Sequence, residues 1–128
     1  MQRAQSGSPF EATIGFSRAV RVGDRVTVSG TAPVWPSGEV DPDPAAQARR
    51  CWEIVTAALA ELGAVPGDVI RTRMYLTDAA HADAVGAVHG EIFGATRPAA
   101  TMVVVAALLD PRWLVEVEAE AVLTTGPT

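Results

Sequence analysis

The sequence predicts an α+β domain with the element order ββαβαββ, its two helices packed on one face of a mixed sheet. Three observations carry that expectation. Residues 18–22 and 25–29 alternate apolar and polar side chains around Gly23-Asp24, the period of half-buried strands joined by a tight turn. Two stretches repeat apolar residues at helical spacing, each between an Asp and a Gly, as amphipathic helices do. The last segment, 114–123, sets Glu116, Glu118 and Glu120 against Val115, Val117, Ala119 and Ala121, so one face of that strand is charged and the other apolar.

Taken in order, residues 1–9 are small and polar and read as a flexible lead-in to a single domain over 10–128, one domain being what this length suggests. After the hairpin, residues 33–44 hold four prolines and Gly38, which makes them a loop. Asp43-Pro44 is a helix start, with Asp as cap and Pro in the first turn. Ala48, Trp52, Val55, Leu59 and Leu62 then form one stripe until Gly63. Residues 68–77 read as a strand with Ile70, Thr72, Met74 and Leu76 on one face and Arg71, Arg73 and Tyr75 on the other. Asp78 caps a second helix with Val85, Val88 and Ile92 as its stripe, ended by Gly94. The run 101–108 is almost wholly apolar and predicts a central strand covered on both faces. Each helix has a single apolar stripe, so both belong on one sheet face. The other face carries Arg71, Arg73 and the three glutamates, a mixture that one subunit alone does not readily satisfy.

Composition narrows the function. The net charge of -5 gives no basic footprint for nucleic acid. Only 20% of residues are charged while 48% are hydrophobic, so part of the surface is expected to be subunit interface. The single cysteine, Cys51, excludes an internal disulfide and suits a reducing compartment. No stretch approaches the ~18–20 apolar residues of a membrane span, and no apolar leader opens the chain. A cytoplasmic protein with no membrane partner is the expectation.

Four motifs add a resemblance: Ile14-Gly15-Phe16-Ser17, Val28-Ser29-Gly30-Thr31-Ala32-Pro33, Thr96-Arg97-Pro98-Ala99-Ala100-Thr101-Met102 and Val115-Glu116-Val117-Glu118-Ala119. Together, and in this order, they resemble the RidA/YjgF family over about residues 10–122. The resemblance implies a chorismate-mutase-like fold closed into a trimeric barrel, with small-molecule clefts between the subunits of a homotrimer. It implies hydrolysis of reactive enamines and imines to keto acids and ammonia, with no cofactor and no metal. Glu116 matches the family's water-positioning glutamate, and a carboxylate is apt there because water attacks well only when its proton has an acceptor. Ser29 matches a serine lining the cleft. These two are the candidate catalytic residues; Phe16, Ser17, Gly30, Ala100, Thr101, Met102 and Arg97 are the candidate ligand-binding ones. Some members of that family bear ribonuclease names, which this acidic composition does not support.

The departures from the family pattern bear on substrate. The family's carboxylate-clamping arginine is Ala100, its substrate-facing tyrosine is Ser17, and a frequent cysteine is Met102. A ligand carboxylate without a cation is poorly compensated, so either the ligand lacks one or Arg97 or Arg73 supplies the charge. Classical 2-aminoacrylate deamination is therefore not expected. The two remaining readings are an enamine or imine hydrolase of altered substrate and a non-catalytic small-molecule-binding protein using the same clefts. Each residue also has a plainer role. The glutamates pair with Arg71 and Arg73 across strands, Ser29 satisfies backbone at a strand end, and Arg97 is a surface residue. Cys51 is packing rather than nucleophile, Trp35 anchors its loop or covers a cleft mouth, and His81 and His89 are solvated.

Overall fold

The structure, a computed structural model, describes residues 1–124; positions 125–128 of the expected domain lie outside the described residues. Eight main elements follow in chain order: β1 (Gln2–Ala4), β2 (Ala19–Val22), β3 (Arg25–Thr31), α1 (Pro44–Glu61), β4 (Val69–Leu76), α2 (Ala82–Phe93), β5 (Ala99–Val104) and β6 (Val115–Val122). The strands form one sheet in the order β1-β2-β3-β6-β4-β5. Only β4 and β5 run parallel, and α2 supplies the crossover that a parallel pair requires. The last strand is thus laid between β3 and β4.

Local sequence explains most boundaries. The Asp43 side chain accepts the Ala46 N–H at 2.9 Å, capping α1, and Gly63 leaves the helix with φ +88°, the left-handed conformation that glycine adopts without strain. The α1 stripe is buried in full, from Ala48 through Trp52, Val55 and Leu59 to Leu62. It packs on Val115, Val117, Ala119 and Ala121 of β6, with Val85, Val88 and Phe93 of α2 beside it. Gln47, entirely buried, is the polar member of this interface. It donates to the Asp41 and Arg112 carbonyls at 2.8 and 2.9 Å and accepts the Leu114 N–H at 2.7 Å, which fixes the entry into β6.

Several expectations need correction. The lead-in read as loose contains β1, whose Ala4 is buried against β2. The apolar run expected at 101–108 as a central strand is β5, which starts at Ala99, ends at Val104 and lies at the sheet edge, with Val103 42% and Val104 54% exposed. Its apolarity marks a surface that this subunit does not cover. In β4 the pairing with β6 shifts register between Val69 and Arg71; the bulge turns Ile70 outward and puts Val69 in the core instead. Asp78 caps a short 3-10 turn, Ala79–His81, which runs into α2. Phe93 takes the core place given to Ile92, which is partly buried.

Gln47 is buried and hydrogen bonds three part-buried backbone groups, so Gln47→Ala is expected to lower stability by about 1–3 kcal/mol, the scale of lost hydrogen bonds at a buried side chain. Urea unfolding at equal slope is the check.

Candidate functional site

The site begins with an irregularity in β3. Val28 pairs with Ala119 and Thr31 with Val117, so Ser29 and Gly30 stand opposite the single residue Glu118. A bulge of this kind bends its strand and re-aims side chains. At Gly30 a β-carbon would lie 2.6 Å from Oε2 of Glu116; glycine is what lets the carboxylate pass so close to the chain. The Ser29 hydroxyl donates to the Ser17 carbonyl at 2.6 Å. Its proton is therefore committed, while its lone pairs stay open to a donor.

Beside this bulge lies a cavity of about 740 Å³. Glu116, Ser29 and Gly30 line one part of it. Phe16, Trp35, Trp113, Ile54 and Leu109 give it an apolar wall, the usual character of a small-molecule site with few polar groups. Among the described residues no donor is hydrogen bonded to the Glu116 carboxylate. Burial raises its pKa above the ordinary 4.5; Arg18 opposes that shift and Glu118 adds to it. A raised carboxyl is a better proton acceptor near neutral pH.

Of the residues proposed from sequence, the fold gathers Glu116, Ser29, Gly30 and Phe16 at this cavity. The rest lie elsewhere in the subunit. Ser17 adjoins the site through its carbonyl, while its hydroxyl accepts from Gln5 at 3.2 Å. Ala100 and Met102 pair with Thr72 and Met74, which face the helices, and Met102 reaches toward Gly86 of α2. Thr101, on the opposite face, accepts from Arg71 at 2.7 Å. Arg97 has a left-handed backbone, φ 54°, just after α2 and donates to the Gly94 carbonyl at 3.3 Å. Arg73 lies 3.8 Å from both Glu118 and Glu120, and Tyr75 donates to Glu118. Neither candidate cation enters the cavity.

Arg18 was not singled out from sequence, and His89 was misplaced. Arg18 lines the cavity and forms a buried ion pair with Glu11, Nε to Oε2, at 3.4 Å; no local pattern links the two, since Glu11 opens a short helical turn at Glu11–Gly15 and Arg18 lies just before β2. His89, expected in solvent, instead meets Thr72 Oγ1 at 2.8 Å and packs edge-on to Trp52, and burial lowers its pKa. Cys51 is wholly buried, which pushes its thiol well up and makes it a poor nucleophile. No group of three or more metal-ligating side chains is assembled among the described residues, and no helix there is long and apolar enough to cross a membrane.

A raised carboxyl has a stability signature. Its neutral form favours the fold fully below the ordinary value of 4.5, and that contribution is lost as pH rises through the raised value. Glu116→Gln escapes the loss. The variant is expected to melt at higher temperature than the native protein near neutral pH, with the gap closing below pH 4.5, as calorimetry at several pH values will read.

Comparison with known proteins agrees with this architecture. Residues 7–123 match the family model for endoribonuclease L-PSP. A 2-iminobutanoate/2-iminopropanoate deaminase of Escherichia coli is 37% identical over 116 residues, 87% of this chain and 88% of that one. The crystal structure of Rv2704 from Mycobacterium tuberculosis, a member of the YjgF/YER057c/UK114 family, superimposes with a TM-score of 0.88 at 43% identity, covering 95% of this chain and 98% of the other. Escherichia coli TdcF with bound serine gives a TM-score of 0.83 at 30% identity, covering 97% and 96%. The chain belongs to the endoribonuclease L-PSP family, that of RidA and YjgF, and has its α+β fold of two helices on a mixed sheet.

Proposed function

We propose that this protein hydrolyses a small, neutral imine or enamine in a cavity completed by a neighbouring copy in a homotrimer. The observation that carries the reading is the Glu116 carboxylate, unpartnered and raised in pKa, at the wall of an apolar cavity. In the proposed step a water attacks the imine carbon and Glu116 takes its proton as the C–O bond forms. The proton is then returned to nitrogen, giving a carbinolamine; Glu116 next takes the hydroxyl proton and passes it to the same nitrogen, the C=O bond forms as the C–N bond breaks, and a carbonyl compound and ammonia leave. Ser29, its own proton held by Ser17, accepts the N–H of the imine. The likeness to an imine deaminase supports the reaction class, and the serine bound to TdcF supports a ligand of modest size.

The substrate is set apart from a 2-imino acid by Ala100, which lies outside the cavity of its own subunit and bears on a ligand only across the proposed trimer interface. An arginine holds a carboxylate through two parallel charge-assisted bonds, and alanine offers neither. The trimer is supported by β5, an exposed apolar edge, and by the mixed face on which the buried Arg71 Nε finds no partner within the subunit. An exposed edge of this kind calls for cover. The second reading, a binding protein without turnover, draws on the same apolar wall; Glu116 separates the two.

Three results are expected. Sedimentation gives three times the subunit mass; a monomer at micromolar concentration removes the shared cavity. Turnover of a neutral imine falls by about a hundredfold or more in Glu116→Gln, the usual range for losing a general base, whereas binding survives. Gly30→Ala, whose new methyl meets only the mobile end of Glu116, loses turnover while its melting temperature changes little. If native protein binds but turns over no imine, the binding reading stands.

A further inference from the structure

The guanidinium of Arg18 is the most tightly held charge at the cavity. Its side chain is 7% exposed and that of its partner Glu11 4%. Nη1 donates to the Gly30 carbonyl at 2.6 Å and to Thr31 Oγ1 at 3.0 Å. The Phe16 ring lies under the group, 5.2 Å from its centre, an arrangement that fixes the plane of a cation. Glu11 is itself tied down by the Ser6 N–H at 2.9 Å and by the Ser6 hydroxyl. Among the described residues, Nη2 has no hydrogen-bond partner, though Arg18 belongs to the cavity wall with Glu116. A guanidinium carries donors and no acceptor, so the N–H groups of Arg18 can only donate, on a residue that lines the cavity.

We propose that Arg18 determines ligand specificity, donating through Nη2 to a neutral oxygen acceptor such as a carbonyl or amide, and that Glu11 makes it reject carboxylates. The charge arrangement is the reason. Glu11 cancels the charge of Arg18 at contact, and Glu116 places a negative charge on the other side of Gly30. An incoming carboxylate therefore meets no net attraction from this end of the cavity, while a neutral oxygen takes the hydrogen bond with no charge to desolvate. Arg50, also on the wall, is engaged through Nε with the Val34 carbonyl at 2.7 Å and lies 3.9 Å from Glu53. The ion pair thus does the opposite of the clamp that Ala100 lacks: it presents an arginine to the ligand with its charge already spent.

This inference rests on the reading of the cavity as the ligand site, and phenylacetamide and phenylacetate, which share shape and differ in charge, separate the two. Calorimetry on the native protein is expected to give an affinity for the amide about tenfold or more above that for the acid, the scale of one charge-assisted hydrogen bond gained against one charge buried. Glu11→Gln exposes the charge of Arg18, so acid binding should rise about tenfold while amide binding stays within about threefold. The double variant Glu11→Gln, Arg18→Met removes the pair without stranding a buried charge and should lose the amide preference altogether. An unchanged ratio in Glu11→Gln or a retained preference in the double variant overturns the proposal. Failure of both probes to bind any of these proteins overturns the cavity reading along with it.

Discussion

Two residues of β3, Ser29 and Gly30, occupy the space opposite one residue of β6, and the site depends on that mismatch. Without the bulge the alternation of β3 would run on unbroken, and a side chain at position 30 would fill the path of the Glu116 carboxylate. With it, three contacts converge. The Ser29 hydroxyl closes on Ser17, the Gly30 carbonyl receives Arg18, and the space above the Gly30 α-carbon admits Glu116. β6 can hold its half of the arrangement because it is central in the sheet, paired on both sides, with its valines and alanines locked under α1. Gln47 secures the chain just before it.

The electrostatics follow from where charges are allowed to sit. On the open sheet face Arg73 lies between Glu118 and Glu120, half-exposed pairs that contribute little to stability singly. Glu116 belongs to the same alternating row yet has no such partner among the described residues; it lies beside the bulge and lines the cavity, as Trp35 does. Burial raises its pKa, Arg18 restrains the rise, and Glu11 limits how much of the charge of Arg18 is felt. Glu11 shows the opposite balance. Burial alone raises its pKa, but the hydrogen bonds from Ser6 and the nearness of Arg18 outweigh that and leave it lowered. Two carboxyls near one guanidinium thus shift in opposite directions, Glu11 down and Glu116 up.

Much of the fold was legible because its signals are local. The stripe from Ala48 to Leu62 and the alternation from Val115 to Val122 each follow from one period and one buried face, and the chain obeys both. The errors came where a second element decides. The apolar run of β5 says that a surface is covered without saying by what, and within one subunit it is an edge. Ile70 has the pattern of a core residue, but a bulge set by β6 turns it out. Glu116, Ser29, Gly30 and Phe16 were found through family motifs, and each stands at the cavity. Arg18 was missed since its role arises from partners at positions 11, 30 and 31, which sequence spacing does not bring together. It is nonetheless a charged residue directly before an apolar strand, and that was the signal available.

The central claim is that the β3 bulge encloses Glu116 as a proton acceptor of raised pKa. Its most direct test is a carboxyl carbon NMR titration of Glu116. The account predicts a midpoint clearly above the ordinary 4.5, with Glu11 titrating below its own ordinary value of 4.5. A Glu116 midpoint at or below 4.5 would contradict it, since the carboxylate would then be well solvated or well paired rather than buried beside the bulge.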